Sequence, residues 1–360
     1  MSGPTTLRVE LGARAHDVLV GDGAADRTAA AAAGSSRRVA LLADRMVARL
    51  HGPRVASLVA RAGAVIETIE LPEGEAAKSL AVVEATCRRL VAGGIERGDA
   101  ILALGGGATT DAAGFVAAVY LRGVRSFLLP TTLLAQVDAA IGGKTAVDLP
   151  EGKNLVGAFH QPALVGCDPR FLATLPERDF RAGLAEIVKA AWIGDLELLA
   201  MLELDPPLTA VHPALVEVVR RAILVKAAIV ARDERETSGE RAALNFGHTL
   251  GHAIETESAG RWLHGEAVAL GLVAAVHLSA QAGWCGEDVL GRMVSLLTRL
   301  GLPVRDPALD PDAVIRRTAV DKKRSGGRDR YQLTKGPGSV SVSLDLPEGA
   351  SRAAVEFLRR

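Results

Sequence analysis

Ala100-Ile101-Leu102-Ala103-Leu104-Gly105-Gly106-Gly107-Ala108-Thr109-Thr110-Asp111 is the stretch on which the fold turns. An uninterrupted short apolar run suits a strand buried on both faces of a parallel sheet, and the glycines end it abruptly ahead of an Ala-rich helical segment. A glycine cluster between such a strand and a helix lets the backbone come close to a pyrophosphate, whose charge the helix N-terminus favours. The literal dinucleotide fingerprint, with glycine at its first, third and sixth positions, fails because Thr110 stands at the sixth. The match is to the physics of the turn rather than to the motif.

On the N-terminal side of this stretch the texture repeats. Val39–Ala43 and Val65–Ile69 are short apolar runs, separated by amphipathic segments that reach to about Arg61 and then from about Ser79 to Ala92. Strands alternating with helices of this length predict βαβ units, hence a doubly wound α/β domain with a parallel, Rossmann-like sheet. Beyond about Pro176 the period becomes helical, with helices expected at Phe180–Trp192, Val211–Ala231, Ala242–Ser258, Glu266–Ala282 and Asp288–Leu300. A basic loop, Asp321 to Arg328, precedes two short strands. The expected division is an α/β domain over residues 1–177 and a mainly α-helical domain over 178–360, with a cleft between them, since 360 residues exceed one ordinary core.

Composition narrows the partners. Hydrophobic residues make up 49% and charged residues 23%, with 42 basic against 42 acidic side chains, so bulk charge points neither to nucleic acid nor to an anionic membrane. A small molecule is the expected partner. Cys87, Cys167 and Cys285 lie far apart, with neither a metal spacing nor a disulfide framework, as in a reducing compartment. The start, Met-Ser-Gly-Pro, has no basic region followed by an apolar run, and no stretch has the length of a spanning helix, so a cytoplasmic protein is expected.

The chemistry concentrates at Asn245-Phe246-Gly247-His248-Thr249-Leu250-Gly251-His252 and Leu263-His264-Gly265-Glu266. Three of the eight histidines, His248, His252 and His264, fall within 17 residues. His248 and His252 share one helix face, a spacing a divalent ion or an anionic substrate can use. A lone pair at this spacing more often caps or packs. Here the small, glycine-containing surroundings, the third imidazole, Asn245 and the upstream Arg241 point to one metal site served by His248, His252 and His264.

Further segments carry a resemblance. Gly105–Asp111, Tyr120-Leu121-Arg122-Gly123, Pro130 to Asp138, Gly142-Gly143-Lys144-Thr145, Gly152 to Phe159, Ala185-Glu186-Ile187-Val188-Lys189, Asp233-Glu234-Arg235-Glu236, both histidine segments and Asp321-Lys322-Lys323 together resemble the 3-dehydroquinate synthase family, within the wider sugar phosphate cyclases. The resemblance implies a carbon–oxygen lyase that uses NAD and one divalent metal, zinc or cobalt. Its substrate is 3-deoxy-arabino-heptulosonate 7-phosphate, converted to 3-dehydroquinate and phosphate by transient oxidation, β-elimination of phosphate, re-reduction and intramolecular aldol closure.

Carried over residue by residue, the resemblance assigns the metal to Glu186, His248 and His264, which moves His252 to the substrate. It implies catalytic roles for Asp138, Lys144, Lys189, Lys226, Glu236 and His252, and substrate contacts from Arg122, Lys153, Asn154, Arg241, Asn245, Lys322 and Lys323. NAD is implied to lie against Asp44, Glu73, Glu75, Lys78, Gly106, Gly107, Thr109, Asp111, Thr131, Thr132, Lys144, Lys153, Phe171 and Thr174. A homodimer is implied too, with Arg122 reaching the partner's active site.

Arg241, Asn245 and His252 favour a carboxylated substrate, which leaves the shikimate-pathway enzyme, aminodehydroquinate synthase or another cyclase of secondary metabolism. Three departures bear on that choice: an extra residue in Thr237-Ser238-Gly239-Glu240, the form of the glycine turn, and Tyr331-Gln332-Leu333-Thr334. A metal-dependent alcohol dehydrogenase of the glycerol type would share the turn and the His pair but has no use for so many cations. A non-catalytic binding protein has no use for the metal ligands.

Overall fold

The computed structural model describes residues 3–322, 331–343, 346 and 349–360. In chain order the first part contains β1 (Thr5–Val9), β2 (His16–Val20), α1 (Ala24–Gly34), β3 (Arg38–Asp44), α2 (Arg45–Arg61), β4 (Val65–Leu71), α3 (Leu80–Ala92), β5 (Ala100–Gly105), α4 (Gly107–Val119), β6 (Arg125–Pro130), β7 (Lys144–Leu149), β8 (Gly152–Phe159) and β9 (Leu164–Cys167). Then follow α5 (Glu177–Gly194), α6 (Leu196–Leu202), α7 (Leu215–Arg232), α8 (His248–Glu257), α9 (His264–Gln281), α10 (Glu287–Arg299), α11 (Pro311–Lys322), β10 (Tyr331–Gly336), β11 (Ser339–Ser343) and α12 (Ala350–Leu358).

Contacts gather these elements into two compact units, residues 1–175 with 215–231, and residues 176–214 with 232–360. The expected contiguous halves therefore need correction, because α7 belongs to the first unit. Its anchors there are local: Val216 lies against Gly21, and Lys226 binds Asp138.

The first unit is built on a seven-stranded sheet in the order β1-β2-β9-β6-β5-β3-β4, parallel except for β1 against β2. The strands expected around Val39, Val65 and Ala100 are all present. Leu41, Leu102, Leu104 and Leu129 pack with Ala25 and Ala29 of α1 and Val55 and Val59 of α2 in one apolar cluster. The alternate residues Leu42, Ile101 and Ala103 are also buried, so the strands carry unbroken apolar runs because both faces are covered. From β4 at the sheet edge the chain crosses back over β3 to β5, so strand order reverses between the C-terminal ends of β3 and β5, where Asp44 and Gly105 sit. In doubly wound sheets that reversal marks the binding crevice.

The second unit is helical, with the β10–β11 hairpin added. The continuous helix expected over Ala242–Ser258 is instead a 3-10 turn, Glu240–Asn245, followed by α8. Gly247 makes the break: its φ of +80° is left-handed, and a Cβ there would lie 2.9 Å from the Leu272 nitrogen. The helix expected from Val211 starts at Leu215, since the His212 ring accepts from the Ala214 N–H and holds a turn. The unusual Tyr331–Thr334 segment has a structural role. Trp192 Nε1 donates to Thr334 Oγ1 at 3.1 Å and the Thr334 N–H to Ser279 Oγ at 2.9 Å, which pins β10 to α5 and α9. No helix among the described residues is long and apolar enough to cross a membrane.

Candidate active site

Three helices of the second unit meet through missing side chains. A Cβ on Gly265 would stand 1.9 Å from the Ala182 carbonyl oxygen, one on Gly271 would stand 1.9 Å from that of Gly247, and one on Gly251 would stand 3.2 Å from that of Ala267. The backbones of α5, α8 and α9 are thus closer than any other residues would permit. Glu186, one turn beyond Ala182, is carried to His264, the neighbour of Gly265, and to His248, the neighbour of Gly247.

Glu186 is 2% exposed. Its Oε1 lies 3.4 Å from His248 Nε2 and 3.3 Å from His264 Nε2, and Oε2 pairs with Lys189 Nζ. The other ring nitrogens are occupied: His248 Nδ1 is 3.3 Å from the Phe246 carbonyl, and His264 Nδ1 is 2.9 Å from Glu255 Oε2. These partners fix both tautomers with the proton on Nδ1 and a lone pair on Nε2. Two lone pairs therefore face a buried carboxylate whose oxygens have no well-directed hydrogen bond. Lys189 balances Oε2, but the two lone pairs and Oε1 repel one another unless a cation lies between them. In a tetrahedral site with bonds of about 2.1 Å, ligand atoms stand about 3.4 Å apart. The observed spacing fits, so the residues suit a divalent ion.

The electrostatics agree. Burial would raise the Glu186 carboxyl, but Lys189 and His248 outweigh it and hold its pKa well below the usual range. Burial would lower His264, yet the Glu186 and Glu255 carboxylates on either side of its ring raise it to about 10, a measure of how strongly this pocket favours positive charge. His252 reaches solvent with its ring 4.9 Å from that of His248 and 5.6 Å from that of His264, and the ligating nitrogens of all three lie within 4.8 Å of one another. The protein around His252 and the two neighbouring imidazoles lower its pKa and keep it neutral.

In the same unit Arg241 is 2% exposed, with Nη1 2.5 Å from the Glu234 carbonyl and Nε 3.8 Å from the Glu236 carboxylate. Glu236 and Asn245 are exposed. Lys322 is the last residue of α11, and Lys323 lies outside the described residues.

In the first unit the glycine turn behaves as the sequence suggests. Gly106 caps α4 without any side-chain hydrogen bond, which leaves the first N–H groups of the helix bare, and a Cβ on Gly105 would stand 2.6 Å from Thr109. Asp44 accepts from the Val47 N–H at 3.0 Å and the Thr109 hydroxyl at 3.4 Å. The Thr131 N–H binds the Gly105 carbonyl, and Thr132 caps the next turn through the Ala135 N–H. That turn, Ala135–Ala139, is a π-helix, a form frequent at functional positions, and it presents Asp138. Lys226 Nζ binds both the carbonyl and the carboxylate of Asp138 at 2.6 Å.

Lys78, 5% exposed, joins Asp111 Oδ2 at 2.7 Å to Asn154 Oδ1 at 2.5 Å. Burial raises Asp111 to about 6, a shift that Lys78 limits. Asp148 closes the network, donating its N–H to the Lys78 carbonyl and accepting the Asn154 N–H at 2.7 Å, which holds Asn154 at a left-handed φ of +57°. Lys153 is 3.9 Å from Glu75, while Glu73 and Lys144 are exposed. The Phe171 side chain is 1% exposed, part of the α1–α2 core cluster and edge-on to His51, which leaves its backbone as the part that could meet a ligand. Thr174 is bound to His51 at 2.9 Å. Arg122 is exposed, and with Leu121 it forms a pair of left-handed non-glycine residues, φ +65° and +49°.

Sequence reading passed over Glu255 and Asp148, and gave Asp233 no role beyond its place in one of the segments that carry the resemblance. Glu255 follows His252 by three residues, a helical spacing that signals a shared face. The contacts of Asp148 and Asp233 are mainly to backbone, which leaves no pattern in side-chain type.

A parallel sheet with an uncapped glycine turn at its reversal point, together with a helical unit bearing a buried carboxylate and two oriented imidazoles, defines a class of dinucleotide- and metal-dependent enzymes. Within that class the chain belongs to the 3-dehydroquinate synthase family. The family model for the N-terminal part of 3-dehydroquinate synthase matches residues 68–182, and that for the C-terminal part matches 183–324. A 3-dehydroquinate synthase of Caulobacter vibrioides is 44% identical over 97% of each chain, and one of Paracoccus denitrificans is 45% identical over 94% of this chain and 95% of its own. Among solved structures, the 2-epi-5-epi-valiolone synthase ValA of Streptomyces hygroscopicus, with NAD+ and Zn2+ bound, is 31% identical with a TM-score of 0.87, covering 95% of this chain and 96% of its own. A 2-deoxy-scyllo-inosose synthase complexed with carbaglucose-6-phosphate, NAD+ and Co2+ is 25% identical, also with a TM-score of 0.87, covering 98% of this chain and 99% of its own. A probable glycerol dehydrogenase of Sinorhizobium meliloti, 18% identical with a TM-score of 0.66 over 95% of this chain and 96% of its own, shares the fold alone.

Proposed function

We propose that the chain is a 3-dehydroquinate synthase, turning 3-deoxy-arabino-heptulosonate 7-phosphate into 3-dehydroquinate and inorganic phosphate with NAD recycled in each turnover. The observation that carries this reading over the alcohol-dehydrogenase alternative is the set of buried cations, Lys189, Lys226 and Arg241, at 3%, 8% and 2% exposure. Each is held in place by a protein oxygen, Lys189 by Glu186, Lys226 by Asp138 and Arg241 by the Glu234 carbonyl, and a substrate that brings a carboxylate and a phosphate gives such preplaced cations a use. A simple alcohol brings neither.

When bound, the divalent ion supplies Lewis acidity and NAD a reversible hydride acceptor. Glu186, His248 and His264 would hold the ion, with Glu255 and the Phe246 carbonyl keeping both Nε2 lone pairs on target. The bare N-terminus of α4 would take the NAD pyrophosphate and Lys78 with Asp111 the ribose side, while Asn154, tied to Lys78, would meet the substrate. Arg241 and Asn245 would clamp the substrate carboxylate, and neutral His252 would accept from a substrate hydroxyl. Lys226, held by Asp138, would keep a positive charge close to the departing phosphate. Lys189 keeps Glu186 ionised. The extra residue before Arg241 is the feature by which an amino-substituted analogue could be preferred.

The test is phosphate release by the purified protein loaded with zinc or cobalt, with catalytic NAD, the product being identified by mass and NMR. Many turnovers to 3-dehydroquinate without net NADH are expected. Accumulating NADH would instead establish a dehydrogenase, and absence of release would overturn the substrate assignment.

We also propose a homodimer in which Arg122 serves the partner's active site, supported by its exposure and its left-handed backbone, a conformation retained where function requires it. Mixing an Arg122→Ala protein with a His264→Ala protein, each inactive alone, should then restore up to about a quarter of normal activity, because half of the mixed dimers' sites are intact. No recovery after subunit exchange would exclude it.

A further inference from the structure

Asp233, one residue past α7 and 3% exposed, has four backbone donors and lies outside every role described above. Its Oδ1 accepts the Thr237 N–H at 2.8 Å and the Ser238 N–H at 3.3 Å; Oδ2 accepts the Gly239 N–H at 3.0 Å and the Arg241 N–H at 3.2 Å. The loop is wound around an anion that its own first residue provides. Left-handed backbone at Glu236, φ +57°, and at Gly239, φ +87°, turns the N–H groups inward, so the segment with the extra residue closes a nest. Burial would raise the Asp233 carboxyl, but donation from the Arg241 and Ser238 N–H groups outweighs it and brings the pKa to about 2, which keeps the anchor ionised.

The last donor decides the matter. The fourth N–H belongs to Arg241, and the Arg241 guanidinium returns to the Glu234 carbonyl, next to Asp233 in the chain. Both ends of the Arg241 residue are thereby referenced to Asp233. We infer that Asp233 is a positioning residue that fixes where Arg241 presents its guanidinium, and that it governs recognition of the substrate's carboxylate without touching it. This rests on the reading of Arg241 as the carboxylate's partner.

The experiment compares Asp233→Asn, Arg241→Ala and the double variant. Asparagine keeps the shape but turns an N–H2 toward backbone donors on one side, so two of the four bonds are lost. KM for the sugar acid phosphate should rise on the order of tenfold with kcat changed far less, while metal content and NAD affinity stay at the unmutated level. The double variant should be no worse than Arg241→Ala alone. Unchanged KM, a loss confined to kcat, or effects that multiply in the double variant would overturn the inference. Asp233→Glu, which keeps the charge but displaces it, should show the same split and serves where Asp233→Asn does not fold. Amide hydrogen exchange of residues 237–241 reads the loop's anchoring without any substrate: faster exchange in the variant is expected, and unchanged exchange would refute the positioning. If the unmutated protein fails to release phosphate, the substrate reading falls, and the exchange result still decides whether Asp233 holds Arg241.

Discussion

A His264→Ala protein should fold, bind NAD and fail to retain stoichiometric zinc or cobalt after dialysis, with activity reduced on the order of a thousandfold or more. The magnitude follows from the several kcal/mol that Lewis-acid stabilisation contributes to a transition state, at about 1.4 kcal/mol per factor of ten. The fold should survive because the helices meet through glycine contacts rather than through the imidazole, which is partly exposed. Glu255→Gln makes the companion measurement. It leaves all three donors in place but weakens the acceptor at His264 Nδ1, so metal affinity should fall about 10- to 100-fold rather than vanish. Equal metal content in His264→Ala and the unmutated protein, read by elemental analysis, would remove the entire site assignment.

The second large effect is expected at Lys78. Lys78→Met should weaken NAD binding at least about tenfold and lower stability by about 3 kcal/mol near neutral pH, because it leaves the Asp111 carboxylate without its countercharge. The pH dependence has a definite sign. Burial already raises Asp111 to about 6 with Lys78 present, and losing the cation raises it further. A carboxyl whose folded pKa exceeds its unfolded value contributes stability below the unfolded value, near 4, and loses it as pH rises through the folded one. The variant's deficit in thermal midpoint should therefore be smallest near pH 4 and grow through pH 6 and above. A deficit that is independent of pH would show that Asp111 does not carry it.

The parts of this molecule that repeat were legible in the sequence, and the parts that depend on single contacts were not. Strands at Val39, Val65 and Ala100 announce themselves because burial on both faces demands unbroken apolar runs. β1 and β2, with an exposed alternation in Thr5–Val9, resemble ordinary loop composition and were passed over. The break at Gly247 is invisible to a periodicity that continues on both sides of it, since only the approach of Leu272 makes a left-handed residue necessary. The three histidines stood out through rarity and spacing. Glu186 did not, because its significance lies in facing Nε2 atoms contributed by helices more than sixty residues away, and only the family resemblance pointed to it. Phe171 was named by the resemblance alone, since its ring packs in the core and gives no sign in the sequence of a binding role.

The return of α7 to the first unit bears on how the protein is made. The polypeptide leaves that unit after residue 175, re-enters it at 215 and leaves again after 231, so the unit stays unfinished on the ribosome until its last helix has emerged. Until then Asp138 waits without Lys226, and a fragment that stops at 175 lacks the residue that binds its π-helical turn. Completion of the nucleotide-binding unit thus waits for residue 231, and a chain that stops anywhere between 176 and 231 leaves both units unfinished.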